Sequence, residues 1–428
     1  MKIIYIFLIF IISAYFSLCS EPPTYNYTGY SSKFTNQSID SKTPEIIQIL
    51  DDSSALFYVN YEINHYSSVA DFSVKDISIL KDGKSSNLEN SLSHCINSAV
   101  LISGLWITLN RVQVYTNGEG AIAVCTTNEG YMTVHNSTIA TTSKNSIAIH
   151  GSDNSSVNVR DSFIITNGEN SPAMSGQKGA FISCNNCSLH TANKGSPLFQ
   201  IFDGMTIRNS YGLAENSQAI IADGKMEINI INTTLNCSWK ENGEDIPDAS
   251  GILLKNTSFN ADEDETSFTN FYVKKSTFEI NSETAPMILV DNAYISFSFE
   301  DSKINSKIFL KLKNASSRTD INLKNCEIEG DIIADEKANL YFILTNSKFV
   351  GAINPDGKAG YINFFIDKKS SVTLTGNSNC DDFYSADQTN SNVNKNSFTL
   401  GGLVGDEDSG SNVLISKIML LLLAYLLI

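Results

Sequence analysis

The chain has 428 residues, of which 42% are hydrophobic, and its formal net charge is −16. This acidic balance argues against a nucleic-acid-binding protein and against adsorption to anionic lipid, because both surfaces repel negative charge. The length would allow two or three compact domains, but the internal repeat described below predicts one elongated domain.

Residues 1–20 have the features of a secretory signal peptide. A positive start at Lys2 and an apolar run over 3–16 are followed by small residues that suit cleavage. We therefore expect a secreted protein, in which disulfide bonds are permitted.

Residues 21–95 are predicted to form an N-terminal cap with the first irregular coils. Within them, the segments 44–50 and 54–63 are apolar enough to be cap strands or a short helix. A repeat array needs such a cap because its end coil would otherwise expose the core and a row of unpaired backbone groups.

A seven-residue pattern then recurs at intervals of 19–26 residues. Around Asn136, apolar residues lie four and two positions before it (Met132, Val134) and three positions after it (Ile139). We call the residue at the Asn136 position the marker. The predicted markers are Asp76, Arg111, Asn136, Asp161, Asn186, Asn209, Asn232, Asn256, Lys275, Asp301, Asn325, Asn346 and, with a weak match, Asn377.

Repetition at this length indicates a solenoid. Residues four and two before the marker share one face of a strand, whereas the residue three after it has the opposite parity. The marker must therefore be a tight turn that lets both strands face one interior, and Asn and Asp suit such a turn. The prediction is an all-β fold, a right-handed parallel β-helix solenoid of about 12 coils over residues 96–385.

Three stretches of the repeat resemble a known group of proteins. SSVNVRDSFIITNGENSPAM and AFISCNNCSLHTANKGSPLF are similar to right-handed parallel β-helix repeat proteins of the pectate-lyase-like superfamily. NCEIEGDIIADEKANLYFILTNSKFVGAIN resembles the C-terminal coils of adhesin-like, non-catalytic surface members of that group. The resemblance covers residues 96–378 and implies the fold, but the fold carries lyases, hydrolases, tailspikes and adhesins alike.

The sequence offers no catalytic residues by motif. The polygalacturonases of this superfamily carry N-T-D, D-D, G-H-G and R-I-K motifs, and none of these stands in the repeat. No cofactor or metal is expected. The best polar cluster is a stripe of residues just before successive markers, namely His135, Arg160, Asn185 and Arg208, with Asp161 beside Arg160. A base, a cation and a carboxylate on one face could together serve to abstract a proton from a ligand. We prefer the interpretation that these residues form an exposed ladder of side chains at a turn.

Other residues are assigned structural roles. Cys95 and Cys125 could lie on adjacent coils and pair, Cys184 is predicted to fill a core position, and Cys187 is predicted to lie in a turn. The inward stack Thr141, Thr166 and Thr191 is predicted to be structural, as are Phe271, Phe278, Phe297, Phe299, Phe342 and Phe349. Trp239 is the exception, because it could stack on a sugar ring.

Nine N-x-S/T sequons are candidate N-glycosylation sites on a secreted eukaryotic protein. They are Asn26, Asn36, Asn136, Asn154, Asn186, Asn232, Asn236, Asn256 and Asn314.

The C-terminal end predicts a membrane anchor. Residues 386–408 are polar and read as a flexible stalk. Residues 409–428 are typical of a GPI signal, with an ω region at Asp408, Ser409 and Gly410 before an apolar tail. A short C-terminal membrane anchor is the alternative.

These features predict a cell-surface protein on the extracellular face of the plasma membrane, with an adhesin-like or structural role and no catalysis. Its expected partners are the membrane, through the anchor, and extracellular glycans or proteins of a host or neighbouring cell. The alternative function is a polysaccharide lyase or glycoside hydrolase. The alternative source is a bacterial or archaeal exported protein.

Overall fold

The computed structural model describes residues 33–35, 45–52, 54, 56–59, 72–89, 92, 95–177, 179–239, 248–257, 269–313, 318–386 and 398–400. The predicted signal peptide, the anchor signal with Asp408, Ser409 and Gly410, and the sequons Asn26, Asn36 and Asn314 lie outside these residues. Within the described residues, no helix is long and apolar enough to cross a membrane.

Short β-strands make up most of the described chain. In chain order they are β1 (Lys33–Thr35), β2 (Glu45–Gln48), β3 (Leu56–Val59), β4 (Phe72–Lys81), β5 (Ser98–Ser103), β6 (Trp106–Thr116), β7 (Ile122–Thr127), β8 (Tyr131–His135), β9 (Thr138–Thr141), β10 (Ile149–Gly151), β11 (Ser156–Arg160), β12 (Phe163–Thr166), β13 (Met174–Gly176), β14 (Phe181–Asn185), β15 (Ser188–Thr191), β16 (Phe199–Ile201), β17 (Gly204–Arg208), β18 (Tyr211–Glu215), β19 (Ile220–Asp223), β20 (Glu227–Ile231), β21 (Thr234–Ser238), β22 (Ile252–Lys255), β23 (Thr269–Lys274), β24 (Thr277–Asn281), β25 (Ile288–Asp291), β26 (Ile295–Glu300), β27 (Lys303–Lys313), β28 (Arg318–Lys324), β29 (Glu327–Ala334), β30 (Asn339–Thr345), β31 (Lys348–Val350), β32 (Tyr361–Ile366), β33 (Ser371–Thr373), β34 (Ser378–Cys380), β35 (Asp382–Ser385) and β36 (Phe398–Leu400).

The strands stack into a parallel solenoid with three faces. Face A runs through β6, β8, β11, β14, β17, β20, β23, β26, β28, β30 and β32. Face B runs through the second half of β6 and then β9, β12, β15, β18, β21 and β24. Face C runs through β5, β7, β10, β13, β16, β19, β22 and β25.

The register confirms the predicted inward positions. Val134 lies opposite Val159, which lies opposite Cys184 on the next coil of face A. All three side chains are at most 1% exposed. The alternation of buried and more exposed residues along the strands of face A therefore follows the period of two that the sequence indicated, whereas most strands of face C are buried at nearly every position.

Most markers form the turn between faces A and B. Eleven of them have φ between +47° and +56°, the left-handed region that Asn and Asp tolerate best: Asp76, Arg111, Asn136, Asp161, Asn186, Asn209, Asn232, Lys275, Asp301, Asn325 and Asn346. A single left-handed residue reverses the side-chain parity, so that the strands on both sides of the turn point inward.

Two predicted markers are wrong. Asn256 and Asn377 are not among the described residues with positive φ. Asn256 follows β22 on face C. Because β20 pairs directly with β23, the marker on the coil after Asn232 is Lys275. Ile252 and Leu254 of β22 imitate the pattern because they are apolar and lie four and two positions before Asn256.

The all-β solenoid class is confirmed, with about 10 turns rather than the 12 coils predicted. Part of the difference comes from the two false markers, Asn256 within the array and Asn377 near its end. The segments predicted as a cap contribute β2 and β3, which pair in parallel with β4 and β5. The right-handed sense of the coil stays a prediction, based on the natural twist of strands.

The core changes character along the solenoid. Val, Ile, Leu and Met fill most of the interior in the early coils, and the threonine stack Thr141, Thr166 and Thr191 is fully buried. Later coils contain stacked phenylalanines, including Phe342 and Phe364 with ring centroids 5.2 Å apart. The predicted inward phenylalanines are all buried, as expected.

A second apolar cluster lies on the outer side of face C. Cys95 forms a disulfide with Cys125, and their Cα atoms are 5.9 Å apart. Leu101, Ile122 and Ile147 complete the buried cluster. The segment before β5 is thus fastened over the early coils of face C.

Candidate functional site

The candidate site is the outward surface of β6, β8, β11, β14 and β17, which we call the face A patch. These strands present every second residue to solvent, and none of the presented residues is acidic. They are Trp106, Thr108, Asn110, Tyr131, Thr133, His135, Ser156, Asn158, Arg160, Phe181, Ser183, Asn185, Gly204, Thr206 and Arg208.

The predicted polar stripe forms the edge of this patch beside the marker turn. His135 pairs in register with Arg160, Arg160 with Asn185, and Asn185 with Arg208. Adjacent members are therefore about 4.8 Å apart along the solenoid, the usual strand spacing. The structure brings all four predicted residues, with Asp161, onto one flank.

Contacts within the stripe are specific. His135 Nε2 lies 2.7 Å from Asp161 Oδ2, and the Arg160 Nε donates to Asn158 Oδ1 at 3.3 Å. The Arg208 side chain is exposed and makes no hydrogen bond or ion pair with any residue that the structure describes. The patch thus holds one guanidinium that has a neutral partner and one that is open to a ligand.

Asp161 is held as an anion. The hydrogen bond from Asn186 Nδ2, at 2.6 Å, and the His135 contact lower the pKa of Asp161 from its ordinary value of 3.8. A carboxyl group with a lowered pKa is a poor proton donor at neutral pH. In this geometry Asp161 orients His135 and accepts a hydrogen bond from Asn186, the marker of the next coil.

Aromatic side chains form the opposite edge of the face A patch. Trp106 is 53% exposed and Phe181 is 42% exposed. Tyr131 stands beside Trp106, with ring centroids 5.5 Å apart. Above Phe181 the chain has Gly204, where a Cβ atom would come within 3.1 Å of the Phe181 ring. The glycine therefore leaves room for the ring to lie against the backbone.

A shallow groove follows the marker turn next to the patch. It encloses about 460 Å³ and is lined by Asp161, Asn186, Asn209 and Asn232 on the turn and by Phe163 and Tyr211 on face B. Phe163 and Tyr211 are 60% and 44% exposed. Aromatic rings thus border the polar turn on the face B side, while the basic stripe borders it on the face A side.

Two hydrogen-bond ladders keep this region in register. On the outside, Asn209 Nδ2 donates to Asn185 Oδ1 at 2.8 Å, and Asn232 Nδ2 donates to Asn209 Oδ1 at 2.9 Å. On the inside, the residue after seven of the eleven left-handed markers supplies a buried hydroxyl, as where Ser137 Oγ accepts from the Val112 N–H at 3.1 Å. The ladders fix the spacing of the presented side chains.

Farther along face A, the outward residues pair with one another. Glu300 accepts from Lys274 Nζ at 3.0 Å and from Lys324 Nζ at 3.4 Å, and Tyr272 Oη donates to it at 3.2 Å. These contacts, led by Lys274, lower the pKa of Glu300. The later coils therefore carry charges that neutralise each other across neighbouring strands.

Other sequence candidates have structural roles. Trp239 does not offer its ring to a sugar: it is 8% exposed, and its Nε1 donates to the Ser250 carbonyl at 3.1 Å. Cys187 lies in the turn between β14 and β15, as predicted, and its side chain is buried, with 4% exposed. No group of three or more His, Cys, Asp or Glu within the described residues is arranged to hold a metal ion.

Three described sequons lie on the marker row itself. Asn136, Asn186 and Asn232 occur on every second coil, because the markers Asp161 and Asn209 separate them. Asn154 lies in the turn between faces C and A, Asn236 on β21, and Asn256 just after β22. The marker-row sequons border the face A patch.

Sequence reasoning identified the stripe but missed the aromatic edge. The strand register offers the missing signal, because Trp106 and Phe181 occupy the same outward position as Tyr131. Aromatic residues at the outward position four residues before the stripe are visible once the inward-facing positions are known.

No protein-family model matches the chain, and a search of curated proteins finds no match. Among solved structures, it is similar to the crystal structure of the tailspike protein gp49 from Pseudomonas phage LKA1, with a TM-score of 0.38 and 11% sequence identity. The match covers 63% of this chain and 52% of the tailspike chain, so this chain matches about half the tailspike's length.

Proposed function

We propose that the protein is a cell-surface rod that binds partners without altering them chemically, in an adhesin-like or structural role. The observation that carries this proposal is the pairing within the stripe. Asp161 holds His135 at 2.7 Å and is itself held by Asn186. The pKa of Asp161 is lowered by these contacts, so it is a poor general acid, which supports recognition rather than hydrolysis.

The architecture supports the same role. About 10 stacked turns give a rod about 50 Å long, with side chains at fixed strand spacing. Such an array stabilises its coils through neighbour contacts and leaves its outer surface free to vary. The signal peptide and the GPI-type signal read from the sequence would place this rod on the outer face of the plasma membrane.

The test is to display the full chain on cultured eukaryotic cells that lack it. We expect displaying cells to adhere to each other or to coated surfaces more than cells with an empty vector. Phosphatidylinositol-specific phospholipase should release the protein and abolish that adhesion. Adhesion equal to the empty-vector cells would overturn the binding role, and resistance to the phospholipase would favour a short membrane anchor instead.

A polysaccharide lyase or glycoside hydrolase is the second candidate, and one observation favours it. His135 is oriented by Asp161 next to the exposed Arg160, which would suit proton abstraction from a sugar acid. The released protein should then produce unsaturated uronates or new reducing ends from acidic polysaccharides, and His135→Gln should abolish this activity. We expect no product from the unaltered protein.

A further inference from the structure

We infer that the face A patch is a binding site for an acidic glycan, a polymer of sugars with carboxylate or sulfate groups. This inference rests on the proposed binding role and names the class of ligand. In this site the stripe binds the charged groups of the glycan, and the aromatic edge contacts its sugar rings.

The first support is charge. The chain carries a net charge of −16, yet the outward residues of five successive strands include two arginines and a histidine but no acidic residue. Arg160 and Arg208 lie two coils apart, about 10 Å along the rod. Guanidinium groups bind carboxylate and sulfate oxygens in paired hydrogen bonds, so two of them at fixed spacing suit a polymer with repeating anionic groups.

The second support is the aromatic edge. Trp106 is more than half exposed although Tyr131 packs beside it, and Phe181 is exposed three coils farther along the same outward position. Exposed rings of this size cost free energy in water unless a ligand covers them. A sugar presents an apolar C–H face that can lie on such a ring while its polar edge stays hydrogen-bonded.

The third support is the row between the two edges. Thr133, Asn158 and Ser183 occupy successive coils there and present hydroxyl and amide groups. These groups donate and accept hydrogen bonds, which suits the many hydroxyls of a sugar chain. The order of aromatic edge, neutral row and basic stripe spans one strand of five residues, about 16 Å.

The surroundings favour a glycan over other anionic polymers. Glu129, Asp153 and Asp203 lie in the turns that border the patch, and Asp161 borders it on the marker row. This acidic rim would repel the dense phosphates of a nucleic acid, whereas a glycan with one charge per sugar can place its charges on the stripe alone. The flat, mostly polar centre also lacks the apolar core that a tight protein interface requires.

The test uses cells that display the full chain. Binding of fluorescent heparin, polygalacturonate and neutral dextran is measured before and after enzymatic removal of N-glycans. We compare the unaltered chain with the double variant Arg160→Gln/Arg208→Gln and with Trp106→Ala. The matched control is Lys303→Gln/Lys348→Gln, which removes two positive charges from exposed residues of face B.

We expect the displayed chain to bind at least one acidic polysaccharide and to bind dextran much more weakly. The arginine variant should lose about tenfold or more in affinity, and Trp106→Ala several-fold, while the lysine control stays within about twofold. Raising the salt concentration should weaken binding to the unaltered chain more than to the arginine variant. Surface staining and protease resistance verify that each variant is folded.

Several outcomes would overturn the inference. Equal binding by the arginine variant and the lysine control would remove the stripe from the site. No polysaccharide binding, with or without N-glycans, would exclude the glycan, and if the same cells still adhered through proteins the binding role itself would stand. Loss of both adhesion and polysaccharide binding would overturn the proposed function as well.

Discussion

The early coils, from β6 to β22, and the later coils, from β23 to β33, share one fold but use different chemistry. The early coils repeat every 23–25 residues between Arg111 and Asn232 and have a mainly aliphatic core. The later coils stack phenylalanines, and in β27 and β29 a single strand continues from face B to face C, which shortens the repeat to 21 residues between Asn325 and Asn346. The fold therefore constrains parity and turn geometry rather than residue identity.

The surfaces of the two regions differ in the same way. Among the later coils, Glu300 is neutralised by lysines on the strands before and after it. In the five strands of the face A patch, the outward positions are neutral or basic, and the Arg208 side chain has no ion-pair partner among the described residues. Paired charges stabilise the rod itself, whereas unpaired charges and exposed rings indicate a surface kept for a ligand.

The largest effect is expected from the phenylalanine stack. Phe342→Ala removes a ring that contacts Phe349 and Phe364 at centroid distances of 5.3 and 5.2 Å. We expect a loss of about 3–5 kcal/mol in the stability of the later coils. Ile139→Val in the early core should cost only about 0.5–1.5 kcal/mol. Hydrogen exchange resolved by coil measures both, and equal losses would contradict the contrast between the two cores.

The stability of the early coils should depend on the disulfide between Cys95 and Cys125. The double variant Cys95→Ala/Cys125→Ala opens a link between residues 30 positions apart. We expect a loss of about 2–4 kcal/mol, confined to face C of the first coils. Limited proteolysis should then cut the segment before β5 first. Unchanged protease resistance there, with intact later coils as the internal control, would show that the cover is held by packing alone.

The marker turns allow a gain in stability. Lys275 adopts φ of +51° in the later coils, where most markers are Asn or Asp. Lys275→Asn should stabilise the turn by about 0.5–1 kcal/mol, because Asn tolerates the left-handed conformation better than Lys. The reverse change Asn209→Lys in the early coils should lose a similar amount and also break a ladder hydrogen bond. Chemical denaturation checks the sign of both changes.

The smallest expected effect is on pH dependence. The Lys274 contact lowers the pKa of Glu300 below its ordinary value of 4.5, so its stabilising effect is present above that pH. It is lost as the pH falls through the lowered pKa of the folded state. Glu300→Gln should therefore flatten the stability of the later coils below about pH 4.5, while leaving the early coils unchanged. If the later coils of the unaltered protein and of the Glu300→Gln variant lost the same stability as the pH fell, this assignment would be contradicted.

Much of the site follows from the sequence once the inward parity is known. The marker pattern places His135, Arg160, Asn185 and Arg208 on successive coils, and the structure has them in register. The His135–Asp161 contact could not be read in the same way. It depends on the rotamers of two exposed side chains from neighbouring coils, which no local pattern encodes.

The sequence by itself determined the class of fold, the inward positions and the left-handed turn at most markers. Each of these is local: alternation and turn chemistry act within seven residues, so the pattern carries them wherever it occurs. The disulfide partners were also close enough in the repeat to be suggested by coil spacing.

Only the tertiary structure decided which strand stacks on which. Ile252 and Leu254 of β22 have the spacing of an inward pair on face A, so Asn256 imitated a marker until the pairing of β20 with β23 showed that the coil contains an insertion. The burial of Trp239 and the meeting of Trp106, Tyr131 and Phe181 on one edge depend on the same stacking. The physical reason is that parallel strand pairing joins residues a whole coil apart, and the length of each coil is set by its loops rather than by its strands.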